Sequence, residues 1–392
     1  LLAPGALANP AFEAWADTLA REWSQAEPIS AAYTQFLPRA EQSALDRQLA
    51  GPHGIFRTEA ARAARIALAE RGLRQLRAWK PSELTAAQRT TAQVLEWHLQ
   101  DSIATARVGD LPYVFDQFFS LHVILTMVFT QLHPLRDATD LENYLARLEQ
   151  FAPALDAGIE EAEARARRGL IPPRFIINAT VAGLDRFTAE PPEKNLLIAT
   201  LQQKLARDPQ AFPTEATSAA MNSASRLIAR EVLPAFGRVK AMLLKHREQA
   251  NDAAGLSARS SGTAQYAALL ASNTTTKMTA DEIHAIGLRE VQRIEAELER
   301  ELQGLGYKEG TINARIAKLN TDSQPPAEPD PRPALLATIE RHIRDAEVRA
   351  RELFDLRPQA RIEVKREPAF TEKTAAATYM PPAPDGSRPG VY

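Results

Sequence analysis

One pattern constrains this chain more than any other: apolar residues recur with a helical period from residue 10 to about 356, and the period then changes to two. Start signals accompany the helical stretch. Thr85 with Gln88, Thr139 with Glu142 and Thr279 with Glu282 each have the spacing of a capping box, in which the threonine hydroxyl takes the third amide and the acidic or amide side chain reaches back. Behind the first, Val94, Leu95, Leu99 and Ile103 form one stripe. Behind the third, Ile283, Ile286, Ile294, Leu298 and Leu302 form another, of which Ile283, Ile286, Ile294 and Leu298 are expected to be buried together, so that Ile294→Ala is expected to cost about 2 to 5 kcal/mol.

Prolines and glycines divide the pattern. A helical run over 56–79 closes at Pro81, Pro153 is expected to kink or split the segment after 139, and Gly169 followed by Pro172 and Pro173 reads as a C-terminal cap. A long run over 215–249 contains Pro234, whose missing amide and ring are expected to bend it, and Gly304 and Gly306 end the helix begun at Thr279. After Pro358, Ala360, Ile362 and Val364 alternate with Arg361, Glu363 and Lys365, which predicts a strand over 361–365 with one buried face. The segment 378–392 has four prolines and two glycines and cannot be helical. The expected fold class is therefore mainly α, a large irregular helical array with a small β-sheet near the C-terminus. No repeat of fixed period is present.

With 45% apolar and 24% charged residues over 392 positions the chain can bury a sizeable core. Lys and Arg number 47 against 49 Asp and Glu, a formal charge of −2, so the basic excess that phosphate-backbone binding requires is missing and nucleic acid is not an expected partner. Cysteine is absent, which excludes disulfides, thiolate metal sites and cysteine nucleophiles. Residues 1–8 start without Met and end in Ala6-Leu7-Ala8, an A-x-A pattern that is expected to be the remnant of a secretory signal peptide. No apolar run of membrane-spanning length follows.

The seven histidines, His53, His98, His122, His133, His246, His284 and His342, include no pair one helical turn apart, so the HExxH arrangement that puts two imidazoles on one ion is absent. The chain also has no GxSxG elbow, no phosphate-binding GxxxxGK[ST] loop and no GxGxxG fingerprint. From residue patterns alone, no catalytic and no metal-binding residue is assigned. If a metal did bind, His98, His122 or His133 would be the contributors brought together from distant helices.

Three stretches nevertheless resemble one family. Residues 262–266, Asn273 to Thr276 and 279–291, the helix pair over 132–169 closing on Ile171-Pro172-Pro173, and the tail Tyr379-Met380-Pro381-Pro382 with 385–392 are similar to the bacterial domain-of-unknown-function 885 family. The likeness covers about residues 80–392. It implies a zincin-like (gluzincin) architecture related to metallocarboxypeptidases and oligopeptidases, exported or lipid-anchored, with zinc held by an HExxPGHH motif and a later glutamate. That motif would lie beyond Tyr392. The chain is therefore expected to be an incomplete part of an exported zinc-dependent peptidase and inactive alone, with zinc a cofactor of the complete protein only. Without a lipobox cysteine, a periplasmic or secreted product is expected. The alternative is a non-catalytic helical binding or scaffold protein of the envelope.

The expected organisation is a signal remnant at 1–8, a helical body over 9–357, and a strand with a Pro/Gly-rich segment over 358–392 flanking the cleft of the same domain. The resemblance places the tail in that cleft, facing a peptide or small-molecule substrate. Asp385 and Gly386 would form a turn, Tyr379 and Tyr392 the wall, and Arg388, with Ser387 beside it, would hold a peptide carbonyl or carboxylate.

Overall fold

Most helices of this protein start where a side chain or a proline resolves the free amides of the first turn. In the computed structural model, which describes residues 8–109, 112–118, 120–259, 261–326, 330–366, 377–384, 386 and 388–392, the boxes at Thr85 and Thr279 are both formed. The box expected at Thr139 is not. The helix Ala138–Leu148 begins earlier, where the Asp137 carboxylate accepts from the amide of Asp140 at 3.0 Å. A carboxylate at the cap also faces the positive end of the helix dipole, which a threonine hydroxyl cannot match. Of the expected signal remnant only Ala8 is described.

The described residues fall into two compact units, one up to Asn273 and one from Thr274. The first is helical throughout. Pro10–Ala26, Glu59–Leu76 and Ala86–Arg107 share a core of Phe12, Leu19, Leu68, Leu76, Leu99 and Ile103, closed by Trp79 edge-on to Phe12. A second core runs through the aromatic chain Tyr144, Phe129, Phe151, Phe236 and Phe187, with successive ring centroids 4.1 to 5.9 Å apart. It joins Ala138–Leu148, Phe151–Arg167, Arg174–Thr188 and Leu233–Gln249. Gly158 lets this layer close: a Cβ there would overlap Leu121 and lie 3.0 Å from Phe115 Cζ.

The breakers act as their chemistry dictates. The chain divides at Glu149 and Gln150, and Pro153 sits in the first turn of Phe151–Arg167, where a missing donor costs nothing. Gly169, at φ +82°, ends that helix with Leu170 N donating to Arg165 O and Gly169 N to Ala166 O, a Schellman closure. Between Thr214–Leu227 and Leu233–Gln249 lies one π turn, Ile228–Val232. Pro234 cannot donate to the carbonyl four residues back, and a widened turn ahead of it absorbs the mismatch. The run expected over 56–79 is a helix over Glu59–Leu76, capped by Thr58.

The second unit holds Ala280–Gly304, Ile312–Asp322 and Arg332–Leu353, then the strands Ile362–Glu363 and Gly390–Val391 in parallel register. Two expectations fail here. Ile283, Ile286, Ile294 and Leu298 are not buried together: Ile294 is 44% exposed and the others half-buried. The reason is length, since the eleven-residue helix Ile312–Asp322 covers only the C-terminal end of the 25-residue helix, where Leu302 is buried. The strand over 361–365 shrinks to Ile362–Glu363, both exposed, with Ala360 exposed and Val364 only half-buried. Among the described residues of its unit no buried side chain of 360–365 marks a covered face. The architecture is thus mainly helical with a very small sheet.

Candidate functional site

The tail is a ribbon built by main-chain bonds. Gly390 N donates to Arg361 O, Tyr392 N to Glu363 O and Lys365 N to Tyr392 O, each at 2.9 Å, tying the end of the chain to the strand before it. On its other side Met380 exchanges two bonds with Val391, at 2.7 and 2.9 Å, and Ala383 N donates to Arg388 O at 3.0 Å. The loop closes at Gly386, whose φ of +76° suits glycine and whose amide donates to Ala383 O.

This ribbon fixes three of the five expected site residues. Tyr379 and Tyr392 are exposed, at 52% and 40%. The Tyr379 ring lies across Gly390, where a Cβ would meet its hydroxyl at 2.9 Å, so a larger residue there would push the exposed ring aside. Arg388 is half-buried with its guanidinium against the Met380 sulfur. Asp385 and Ser387 lie outside the described residues.

The three histidines singled out as metal contributors are engaged separately. His98 packs against Trp23 at 5.3 Å. His122 is buried against Phe115 and Phe236, with Nδ1 2.9 Å from Ser120 Oγ. That hydroxyl donates to Asp116 O, so His122 must be the donor in the pair, and burial pushes its pKa down to about 4. His133 is fully enclosed: Nε2 faces the carbonyl of Asp140 at 2.9 Å and Nδ1 faces Arg147 Nη1 at 3.0 Å. A carbonyl only accepts and a guanidinium only donates, so the proton sits on Nε2 and the ring is neutral. Burial first, then Arg147, hold its pKa well below the usual value. Among the described residues no three His, Asp or Glu side chains converge as a metal site would require.

Around His133 the structure reveals a buried polar network that the sequence patterns did not single out. Arg147, wholly buried, donates to Gln48 O at 3.0 Å and Leu45 O at 2.8 Å and lies 3.4 Å from the buried Asp46 carboxylate. Gln35 and Gln42 also donate to Asp46. Lys204 donates to the carbonyls of Phe129 and His133, at 3.0 and 2.9 Å, at the end of the π turn Val128–Leu132. The available signal was a charged residue, Arg147, on the same helix face as Leu141, Tyr144 and Leu148. Each of these contacts lies within the first unit.

One cleft is lined by cations. A space of about 310 Å³ lies between 56–65 and 102–109, walled by Arg57, Arg62, Arg65 and Arg165 with Glu27 as the acidic member. Arg165 is committed to Glu161 and the carbonyls of Pro112 and Arg57, and Arg65 to Glu27 and the Trp23 ring. Arg57 adopts φ +77°, an uncommon conformation for a side chain of its size. Such a cleft can accept a carboxylate or phosphate group.

Comparison with solved structures gives the fold an external anchor. A candidate lipoprotein of Colwellia psychrerythraea superposes with a TM-score of 0.82 at 21% identity, over 96% of this chain and 67% of its own. A candidate lipoprotein of unknown function from Shewanella oneidensis superposes with a TM-score of 0.59 at 14% identity, over 95% of this chain and 62% of its own. Comparison with curated protein sequences returns no match. Among the described residues no helix is long and apolar enough to cross a membrane. A profile of bacterial proteins of unknown function matches residues 56–392, from the start of the Arg-lined cleft to the last strand of the ribbon, and the chain belongs to that family, DUF885.

Proposed function

We propose that this chain is the helical body and cleft-flanking ribbon of an exported, zincin-like hydrolase of peptide bonds. The observation that carries the reading is the ribbon itself: an ordered, glycine-closed extended segment presenting Tyr379 and Tyr392, at the place where the resembled family approaches its metal motif. In this reading the tyrosines line the path of an extended peptide, and Arg388 gives a carbonyl or C-terminal carboxylate a planar, two-pronged donor. A zinc ion would activate water in the complete protein, but the described residues of this chain do not fit it, because His122 and His133 are buried and hydrogen-bonded to other partners and no three His, Asp or Glu side chains among the described residues converge. No step through zinc is derived from them. The two structural neighbours, both described as lipoproteins, support an envelope location.

Arg388→Lys in the protein extended past Tyr392 tests the assignment. The change keeps the charge and removes the fork, and is expected to lower peptide turnover tenfold or more while shifting the melting temperature by under about 2 °C. Unchanged turnover with lowered stability would make Arg388 a structural anchor and overturn the cleft assignment. A second reading, a non-catalytic binding module of the envelope, draws on the Arg-lined cleft, which needs no chemistry to hold an acidic ligand. Extended protein that hydrolyses no peptide in a broad panel, yet is stabilised by acidic peptides, would favour it.

A further inference from the structure

The second unit has almost no core of its own. Of its described residues only Leu302 and Ala383 are buried hydrophobics, and the helix Arg332–Leu353 buries none of its residues. The first unit buries apolar side chains from Phe12 through Ala250. The contrast is too large to be ordinary surface variation, because helices of 25 and 22 residues hold their place by burying one face rather than by propensity.

The uncovered face has a definite position. On Ala280–Gly304, Leu288, Val291, Ile294, Leu298 and Leu302 fall within about 120° of one another at the helical 100° per residue. Along this one stripe burial falls off: Leu302 is buried under Ile312–Asp322, Leu298 is half-buried, and Ile294, Val291 and Leu288 are 44, 52 and 54% exposed. The covering helix is simply too short. On the opposite side of the stripe Arg293 pairs with Glu290 and Glu297, the solvent-facing arrangement, so the apolar side is not exposed by a reversed helix.

We propose that this stripe is the seat of further polypeptide of the same protein, equivalent to the third of the Colwellia chain that has no counterpart in these 392 residues. Two observations select that occupant over a foreign partner. A solved protein of the same fold, superposing on 96% of this chain, carries that additional third. The deficit is also a missing core rather than a rim-and-patch surface: a coreless unit is what remains when an obligate layer is removed, whereas a transient partner leaves a unit that is stable without it. The proposal is independent of the hydrolase reading, since it concerns packing alone.

The test compares the 392-residue chain with the longest natural product containing it. In the 392-residue chain Ile294→Asp and Val291→Asp are expected to leave the melting temperature within 1 °C, and amides of 280–304 to exchange with solvent at least a hundredfold faster than those of Leu233–Gln249. In the longer product the same amides are expected to slow at least tenfold, and Ile294→Asp to lower the melting temperature by 5 °C or more. Val94→Asp, at an exposed apolar position on Ala86–Arg107 in the first unit, is the control expected to be neutral in both. Neutral substitutions in the longer product, a natural product no longer than 392 residues that is monomeric, or a dimer of the short chain abolished by Ile294→Asp would each overturn the proposal.

Discussion

Replacing Arg147 by Met removes the hub of the buried network while keeping an apolar stem of similar reach. The guanidinium has no exposed surface, and its loss strands the carbonyls of Leu45 and Gln48, the Nδ1 lone pair of His133 and the Asp46 carboxylate, itself fully buried. Gln35 and Gln42 would still donate to Asp46, but no cation would face it. Breaking a buried pair from one side costs about 3 to 5 kcal/mol, because the surviving charge stays desolvated. For a unit of this size that is a drop in melting temperature of about 6 to 12 °C. Burial already holds the Asp46 pKa above its usual value and Arg147 is the main force opposing it, so in the variant Asp46 is expected to take up a proton more readily. Adding Asp46→Asn should then recover part of the loss. Thermal unfolding of the four proteins of the cycle, followed by circular dichroism, gives the coupling energy, expected to be about 1 to 3 kcal/mol. A single-variant cost below about 1 kcal/mol, or strictly additive effects, would refute the view that these charges depend on one another.

Three further outcomes follow from packing and ionisation. Gly158→Ala places a methyl group against the buried Leu121 and Phe115, and is expected to destabilise by about 1 to 3 kcal/mol in denaturant unfolding; a neutral result would mean the layer has slack. Lys204 has its pKa lowered from 10.5 to about 7 by burial, with Arg207 adding to the effect. Below pH 7 folded and unfolded states both hold this proton, whereas between pH 7 and 10.5 the unfolded state binds it more tightly. Stability attributable to Lys204 therefore rises with pH, by about 5 kcal/mol in the limit, and the stability of the parent protein relative to Lys204→Met should increase from pH 7 to 10; a difference that stays constant rejects this. Ile294→Ala in the 392-residue chain is expected to cost under about 0.5 kcal/mol, and urea unfolding with a cost of 2 kcal/mol would show the residue buried after all.

How far the chain could be read from its residues varied with the range of the forces involved. Local rules held where both partners sit within one turn: the boxes at Thr85 and Thr279, the Schellman closure at Gly169, the interruption before Pro234 and the non-helical tail all depend on chemistry three to five residues apart. At Thr139 two local signals competed, and the carboxylate of Asp137 prevailed. The tail residues Tyr379, Arg388 and Tyr392 could be named because they lie close together in sequence, and the hydrogen bonds that set them into one ribbon with 361–365 were not visible.

Sequence by itself therefore determined the helical class, most element ends and the change of period after Pro358, since backbone donors, proline rings and glycine φ values act over a few residues. Tertiary structure alone decided which apolar stripes are covered. Ile294 and Leu99 read alike as helical core positions, yet Leu99 meets Phe12 and Leu68 from distant helices while Ile294 meets too short a partner. Tertiary structure also decided that Arg147, Asp46 and His133, far apart along the chain, share one dry site, because desolvation depends on everything packed around a group and not on its neighbours in sequence.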